Sequence, residues 1–272
     1  MYFIKKINKE DIEEMRKGYY TNLTAPMDDM WEEGIIPNGN FFTVTQDEFI
    51  VGYFVLDSEG VMIAFYVKEK EEATEIFKTI VAEKKIQKAY ASTYDQLFYD
   101  QCNKLKKNIL DNTFIYRLKG EVVIDPPFEN IDVVKGTMDD FEEILSHYVD
   151  GTGGPEEWLR GYLTKWVDNN GIIVFKSGNK IIGTGEIRPS ISSHGYVNIG
   201  MVVAKEFRKK GVATYIINIL TKMSKEKGYK PISSTTIDNI GSQRTLEKNG
   251  YECYHKINTI SFFKKTSLKK GS

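Results

Sequence analysis

The chain has 272 residues, a formal net charge of −1, and 41% hydrophobic and 12% aromatic residues. This composition predicts a globular protein with a packed core, and the length favours about two domains. The near-neutral charge argues against a generic nucleic-acid or anionic-membrane binder, and no apolar stretch approaches the ~20 residues that span a bilayer.

The two cysteines, Cys102 and Cys253, have no short CxxC spacing, and the three histidines form no cluster. A disulfide framework or a metal site is therefore not expected. The first twenty residues contain no apolar segment of the signal-peptide type. Together these features favour a cytoplasmic protein.

The first half of the chain alternates short strands and helices in the order βααβββαβαβ. Apolar residues recur at helical or alternating spacing in each segment, which is the basis of the assignment. The predicted elements are YFIKKI, KEDIEEMRKGYY, APMDDMWEEGII, NFFTVTQ, EFIVGYFVLD, VMIAFYVK, EEATEIFKTIVAEKK, QKAYASTYD, QLFYDQCNKLKKN and TFIYRLK.

The second half repeats this element order, although the two halves barely resemble each other in sequence. Its predicted elements are IDVVKGT, MDDFEEILSHYV, PEEWLRGYLTKWVDN, the hairpin strands of GIIVFKSGNKIIGTGEIRP, GYVNIGMVV, a helix from Val212, PISSTTID, GSQRTLEKN and YECYHKINTISFF. Pro126 and Pro127 predict a stiff linker between the halves. We therefore expect two similar domains, at residues 1–122 and 129–266.

The segment EFRKKGVATYIINIL places Arg208, Lys209 and Lys210 directly before Gly211, where an amphipathic helix is predicted to begin. Helix starts normally favour acidic side chains, because the N-terminal end of the helix is positive. A glycine lets a ligand approach the backbone closely, and unpaired amides bind anions. The pattern predicts a phosphate or pyrophosphate site. Neither the NTPase P-loop motif nor a dinucleotide-binding GxGxxG is present.

This R-x-x-G-x-A pattern, together with NIGSQRTLEKNGYE (Asn239 to Glu252), resembles the two signatures of the GNAT superfamily of CoA-dependent N-acyltransferases. The resemblance covers residues 129–264 by motif, and the first half by element order alone. It implies an α/β (α+β) fold with two GNAT-like domains, each a mixed, mostly antiparallel sheet flanked by helices.

The resemblance also implies acetyl-CoA as the acyl donor and assigns the residues that hold it. Backbone amides of the loop and helix start would cradle the pyrophosphate, the end of the preceding strand would pair with pantetheine, and the next strand-helix junction would approach the cofactor. The residues concerned are Met201, Val202, Val203, Arg208, Lys209, Lys210, Gly211, Val212, Ala213, Thr214, Asn239 and Ser242. Structural alternatives are a tight turn at Gly211 and a helix cap at Asn239.

The catalytic groups are less clearly marked. The family's tyrosine in the second signature, which protonates the leaving thiolate, is replaced here by Leu246, and Tyr251 and Tyr254 are candidates only by their nearness in sequence. Glu186 could take a proton through water or anchor a cationic amine. Its structural alternative is an ion pair with Arg188.

Two further residues are predicted to line the same cleft as Glu186. They are Tyr196 and Asn198, on the strand that follows it in the sequence.

In the first half, the segment that corresponds to the pyrophosphate loop is VKEKEEATEIF (Val67 to Phe77), which contains no glycine. It presents Glu69, Glu71 and Glu72 where phosphates would lie. Acidic residues stabilise a helix start and repel a pyrophosphate. We therefore expect the first half to be a degenerate domain that does not bind CoA.

The predicted function is acetyl-CoA-dependent N-acetylation of a primary amine in a small molecule or peptide, by direct transfer. Two alternatives remain open at this point: an acyltransferase with a different donor, and a non-catalytic CoA-binding regulatory module. The expected partner is the amine acceptor, with no nucleic acid, membrane or metal. The oligomeric state is left open.

Overall fold

The computed structural model describes residues 1–263 of the protein. The strands are β1 (Tyr2–Ile7), β2 (Asn40–Gln46), β3 (Phe49–Leu56), β4 (Met62–Val67), β5 (Lys88–Ser92), β6 (Asn108–Leu118), β7 (Ile131–Lys135), β8 (Ile172–Ser177), β9 (Lys180–Pro189), β10 (Tyr196–Val203), β11 (Lys230–Thr236) and β12 (Tyr251–Ser261).

The α-helices are α1 (Glu13–Thr21), α2 (Ala73–Glu83), α3 (Gln96–Leu105), α4 (Phe141–Thr152), α5 (Glu156–Asp168), α6 (Val212–Glu226) and α7 (Ile240–Lys248). A π-helical turn (Met30–Ile35) stands where a second N-terminal helix is predicted, and short 3₁₀ turns precede several helices. The mixed α/β fold predicted from the sequence is confirmed, with the element order repeated in each half.

The chain divides into two compact units. Unit 1 comprises residues 1–114 together with the segment from residue 255 onward, and unit 2 comprises residues 115–254. The predicted domain limits of 1–122 and 129–266 stay a prediction, and their last three residues lie outside the described part of the chain.

Unit 1 is built on a mostly antiparallel sheet in which β1, β2, β3 and β4 pair in sequence order. Strand β5 pairs on its other edge with β12, the last strand of the described residues, in an antiparallel register that runs from Ile257 opposite Ser92 to Ser261 opposite Lys88. Helices α2 and α3 cover one face through a core of fully buried aromatic and aliphatic side chains, which includes Phe65, Phe77 and Phe98.

Unit 2 orders its strands β11-β10-β9-β8-β7, with β9 antiparallel to both of its neighbours. Helices α4 and α5 pack on one face of this sheet through a buried cluster that contains Ile144, Leu163 and Val174. On the other face α6 packs closely against β9 at Gly185. A Cβ added at Gly185 would lie only 2.7 Å from a Leu220 methyl carbon. The two faces of β9 therefore have different neighbours, and this decides where the polar side chains of β9 lie.

Within residues 1–263 no helix combines the length and the hydrophobicity needed to cross a membrane. In the same part of the chain no group of three or more histidine, cysteine or acidic side chains is arranged to hold a metal ion.

Candidate functional site

The strands β10 and β11 separate part of the way along β10. They pair in parallel only from Tyr196 to Asn198, whereas β10 pairs with β9 as far as Val203. Just past the last pair, the Ser233 hydroxyl on β11 donates to the Ile199 carbonyl at 2.9 Å. From there β10 has no partner in the β10–β11 register, so the two strands diverge, and we call the space between them the cleft.

The alternation of a β-strand decides which peptide groups face this cleft. The Ala204 amide donates to Ile182 of β9, so even-numbered residues of β10 present their peptide groups to β9. The Ile199 carbonyl points to β11, so odd-numbered residues present theirs to the cleft. Of the predicted stretch Met201 to Val203, the peptide groups of Met201 and Val203 therefore face the opening.

A basic loop connects the end of β10 to α6. After a 3₁₀ turn (Lys205–Phe207), Lys209 has φ 62° and Gly211, at the helix N-cap, has φ 88°. The first-turn amides of any α-helix lack intrahelical acceptors, and in α6 this turn contains no acidic residue. The loop thus combines unpaired backbone donors, a glycine in the left-handed region and exposed positive charge, which is the arrangement that binds an anion.

The cationic side chains of the loop have defined positions. Arg208 donates from Nε to the Val203 carbonyl at 3.2 Å and from Nη2 to the Gly151 carbonyl at 2.7 Å. The Lys210 ammonium lies 5.5 Å from the centre of the Phe207 ring. Arg208 therefore ties the loop to the end of β10 and to α4, and contributes its charge from that position.

The second signature forms the start of α7. Asn239 caps this helix, since its Oδ1 accepts a hydrogen bond from the Ser242 amide at 3.1 Å. The side chain of Asn239 thus acts as the helix cap, which is the structural alternative given for it in the sequence analysis. Contact of Asn239 and Ser242 with the cofactor stays a prediction.

Glu186 lies at the centre of a buried polar network. Its Oε1 accepts from the Tyr148 hydroxyl at 2.6 Å, its Oε2 accepts from the Tyr162 hydroxyl at 2.7 Å, and Arg188 Nη1 also donates to Oε2. The side chain is only 6% exposed. Burial, and then the negative charge of Glu186, raise the pKa of Tyr148 well above its ordinary value, so this hydroxyl stays protonated and donates.

The other predicted cleft residues lie on the neighbouring strand. Asn198 stands opposite Arg188 in the register and is 2% exposed, and its Nδ2 has no hydrogen-bond partner among the described residues. Tyr196 is half-buried, with the Lys230 ammonium 5.5 Å from its ring centre. Gly200 stands opposite Glu186, and a Cβ there would lie 3.6 Å from Glu186 Oε2. The structure therefore brings Glu186 and Asn198 together beside the point where the sheet opens.

Sequence analysis assigns no role to Tyr148 or Tyr162, which lie in the predicted elements MDDFEEILSHYV and PEEWLRGYLTKWVDN. Strand alternation places Glu186 on one face of its strand, but neither alternation nor helical spacing shows which helices cover that face or that a tyrosine hydroxyl reaches the carboxylate. A buried acid on the sheet face covered by two tyrosine-bearing helices is the signal that could have indicated the network.

The position where the family has its tyrosine is part of the core. Leu246 is fully buried. The nearby Tyr251 hydroxyl is hydrogen-bonded to Thr221 Oγ1 at 2.7 Å, and burial raises the pKa of Tyr251. Burial also raises the pKa of Tyr254 to about 12, so both hydroxyls stay protonated near neutral pH.

Replacing Leu246 with tyrosine is expected to destabilise the protein without increasing any transferase activity. The larger side chain and its hydroxyl would enter a filled core, at a cost of about 1–3 kcal/mol. Chemical denaturation measures this cost, and Leu246→Met, which keeps the volume, is the matched control. A gain in activity in Leu246→Tyr would contradict the prediction.

In unit 1 the connection that corresponds to this loop, between β4 and α2, is built differently. Five residues (68–72) connect β4 to α2, against eight (204–211) between β10 and α6. The connection ends in a 3₁₀ turn (Lys70–Glu72) with acidic residues in its first turn, and no residue from 68 to 73 has a positive φ. The absence of CoA binding in this unit stays a prediction, and these features support it.

Comparison with known proteins gives the same family for both halves. Residues 8–119 match the family described as "Acetyltransferase (GNAT) domain", and residues 138–251 match the "Acetyltransferase (GNAT) family". An uncharacterized N-acetyltransferase of Bacillus subtilis, YjdG, is 30% identical over 118 residues. That alignment spans 43% of this chain and 62% of the relative, less than two thirds of its length.

Solved structures resemble the whole fold. A GNAT-family acetyltransferase from Colwellia psychrerythraea has a TM-score of 0.89 at 22% identity, covering 96% of this chain and all of that one. A GCN5-related N-acetyltransferase from Sphaerobacter thermophilus scores 0.66 at 10% identity, covering 96% and 95%. A tandem GNAT protein from the clavulanic acid biosynthesis pathway scores 0.59 at 12% identity, covering 96% and 98%.

Proposed function

Because this chain belongs to the GNAT superfamily of acetyltransferases and has two of its domains in tandem, we propose that unit 2 binds acetyl-CoA and transfers its acetyl group to a primary amine. The acceptor amine belongs to a small molecule or a peptide. Unit 1, without a phosphate loop, binds no CoA.

The observation that carries this proposal is the cleft between β10 and β11, which ends at the basic loop and the start of α6. A pyrophosphate at the loop would accept hydrogen bonds from the amides of Gly211 to Thr214. The pantetheine amides would pair with the peptide groups of Met201 and Val203, as an added strand does. The pantetheine arm would thus direct the thioester toward Asn198 and Glu186.

Transfer requires a neutral amine and a polarised thioester carbonyl, and the departing thiolate must gain a proton. A carboxylate has about four acceptor positions, and three donors already occupy Glu186. The remaining position can accept an N–H of the amine or a water that relays its proton. The Asn198 Nδ2 group is a donor for the acetyl carbonyl or the acceptor substrate, and Tyr196 contributes to the wall of the cleft.

Calorimetric titration of the purified chain with acetyl-CoA tests the binding part of this proposal. We expect one site per chain. Two sites would contradict the assignment of unit 1, and no binding at millimolar concentration would contradict acetyl-CoA as the donor. Competition with CoA and with longer acyl-CoA esters identifies the preferred acyl group, and an amine screen with thiol detection then measures turnover.

A second candidate is a CoA-binding module without catalysis. The observation that favours it is the buried Leu246, which leaves the family's tyrosine position without a proton donor. Binding of acetyl-CoA without turnover for any amine in the screen would support it. Turnover that is lost in Glu186→Gln, with acetyl-CoA affinity unchanged, would support the enzyme.

A further inference from the structure

Unit 1 contains a narrow pocket with aromatic walls. It is lined by Tyr19 of α1, Trp31 of the π-helical turn, Tyr90 of β5 and Tyr94, with aliphatic side chains beside them. The rings of Trp31 and Tyr90 meet edge to face, with their centres 5.9 Å apart. The interior has room for about one water-sized group. Among the described residues that line it there is no lysine or arginine.

Asp95 lines this pocket, and one of its two carboxylate oxygens has no well-formed hydrogen bond among the described residues. It is 5% exposed, and as the N-cap of α3 its Oδ1 accepts from the Phe98 amide at 3.2 Å. Its Oδ2 is buried and has no partner with full hydrogen-bond geometry among the described residues, and the Tyr19 hydroxyl lies beside the carboxylate as a donor that lowers its pKa. Burial raises the pKa of Asp95 to about 7, against the opposing effects of that hydroxyl and the Phe98 amide. A buried oxygen of this kind costs free energy until a donor or a cation reaches it.

Further carboxylates lie near Tyr94, which lines this pocket. After burial, the carboxylates of Asp28 and Asp95 and, more weakly, Glu32 raise the pKa of Tyr94 well above its ordinary value. A magnesium or calcium ion would need six or more oxygen ligands, which the pocket does not offer. A primary ammonium group is close to water in size, supplies three N–H donors and is attracted by aromatic rings.

We propose that unit 1 binds the –NH₃⁺ head of a small primary amine in this pocket, with Asp95 as its anionic partner and the Tyr19, Tyr90 and Trp31 side chains as its walls. The site is separate from the acetyl-CoA site of unit 2, and it does not depend on whether unit 2 is catalytic. It makes the degenerate domain a ligand-binding domain for amines.

Trp31 allows a site-specific test, since the chain has three tryptophans and the other two, Trp158 and Trp166, belong to unit 2. The full chain is labelled with 5-fluorotryptophan, its ¹⁹F resonances are assigned with Trp31→Phe, and methylammonium chloride is titrated against matched sodium chloride. We expect the Trp31 resonance to shift saturably with methylammonium and not with sodium. Asp95→Asn keeps the helix cap and removes the charge, and it should bind roughly ten- to a hundredfold more weakly.

Asp57→Asn is the matched control, because Asp57 also accepts backbone amides, from Glu59 and Val61, in the same unit. It should bind methylammonium as the unaltered chain does. The proposal is overturned if Trp31 does not respond to methylammonium, if Asp95→Asn binds as tightly as Asp57→Asn, or if tetramethylammonium, which is too large for the pocket, gives the same shift. Each of these outcomes leaves the acetyl-CoA titration of unit 2 unaffected, so the two proposals fail separately.

Discussion

Gly211→Val is expected to weaken acetyl-CoA binding by roughly a hundredfold while the protein stays folded. Gly211 has φ 88°, a conformation that a β-branched residue does not adopt without strain. Valine would therefore move the loop and displace the first amides of α6 from the pyrophosphate. Loss of two hydrogen bonds to a charged group, each worth about 1.5 kcal/mol, accounts for a change of this size.

Gly228→Val provides the matched control for this experiment. Gly228 follows the other end of α6 with φ 78°, and a Cβ there would meet nothing within 4 Å. The same kind of backbone strain is thus introduced far from the loop. Calorimetry should show normal acetyl-CoA affinity for Gly228→Val, with a loss of stability similar to that of Gly211→Val. Equal affinity in the two variants would show that the loop does not hold the cofactor.

Glu186→Ala is expected to lower the free energy of unfolding of unit 2 by about 3–5 kcal/mol. The substitution removes the anion from a buried guanidinium and leaves the Tyr148 and Tyr162 hydroxyls without their acceptor. Guanidinium chloride denaturation, followed by the fluorescence of Trp158 and Trp166 in a Trp31→Phe background, measures the effect in this unit.

A double substitution that removes both charges distinguishes two contributions to the free energy of unfolding. One is the cost of leaving Arg188 without its carboxylate, and the other is the net stabilisation by the intact Glu186–Arg188 pair. Glu186→Leu combined with Arg188→Met should recover most of the lost stability, since an apolar pair of similar volume replaces a buried ion pair at little cost. If Glu186→Ala unfolds at the same denaturant concentration as the unaltered chain, the carboxylate does not organise the network. Acetyl-CoA affinity should stay nearly unchanged throughout, because the proposed contacts to the pyrophosphate come from the basic loop and α6 and not from Glu186 on β9.

The basic loop before α6 is the part of the candidate site whose local geometry the sequence predicts best, while phosphate binding there stays a prediction. Three consecutive cations and a glycine before an apolar helix face contradict the usual chemistry of a helix start, so a local rule is enough to identify them. The local structure agrees, with Gly211 at the N-cap and Lys209 also at positive φ. The duplicated element order follows in the same way from the spacing of apolar residues.

The polar network around Glu186 could not be predicted in the same way. It requires hydroxyls from α4 and α5 to reach one carboxylate on β9, and these groups are 38 and 24 residues away from it in the chain, respectively. Spacing places Tyr148 on the buried face of its helix, but the packing of helix on sheet decides what it contacts. The partner of β12 is a similar case, because an alternating pattern identifies a strand and does not identify its neighbour.

The pairing of β5 with β12 has a consequence for how the protein is made. Unit 1 begins at the first residue, yet its sheet includes residues 255–261. A ribosome has to translate residues 115–254 before this part of β12 exists, so the edge of β5 that pairs with β12 stays unpaired while unit 2 is synthesised. Exposed strand edges invite misassociation, and chaperones act on such intermediates. For the same reason, a stop codon between the two halves would not release a finished first domain.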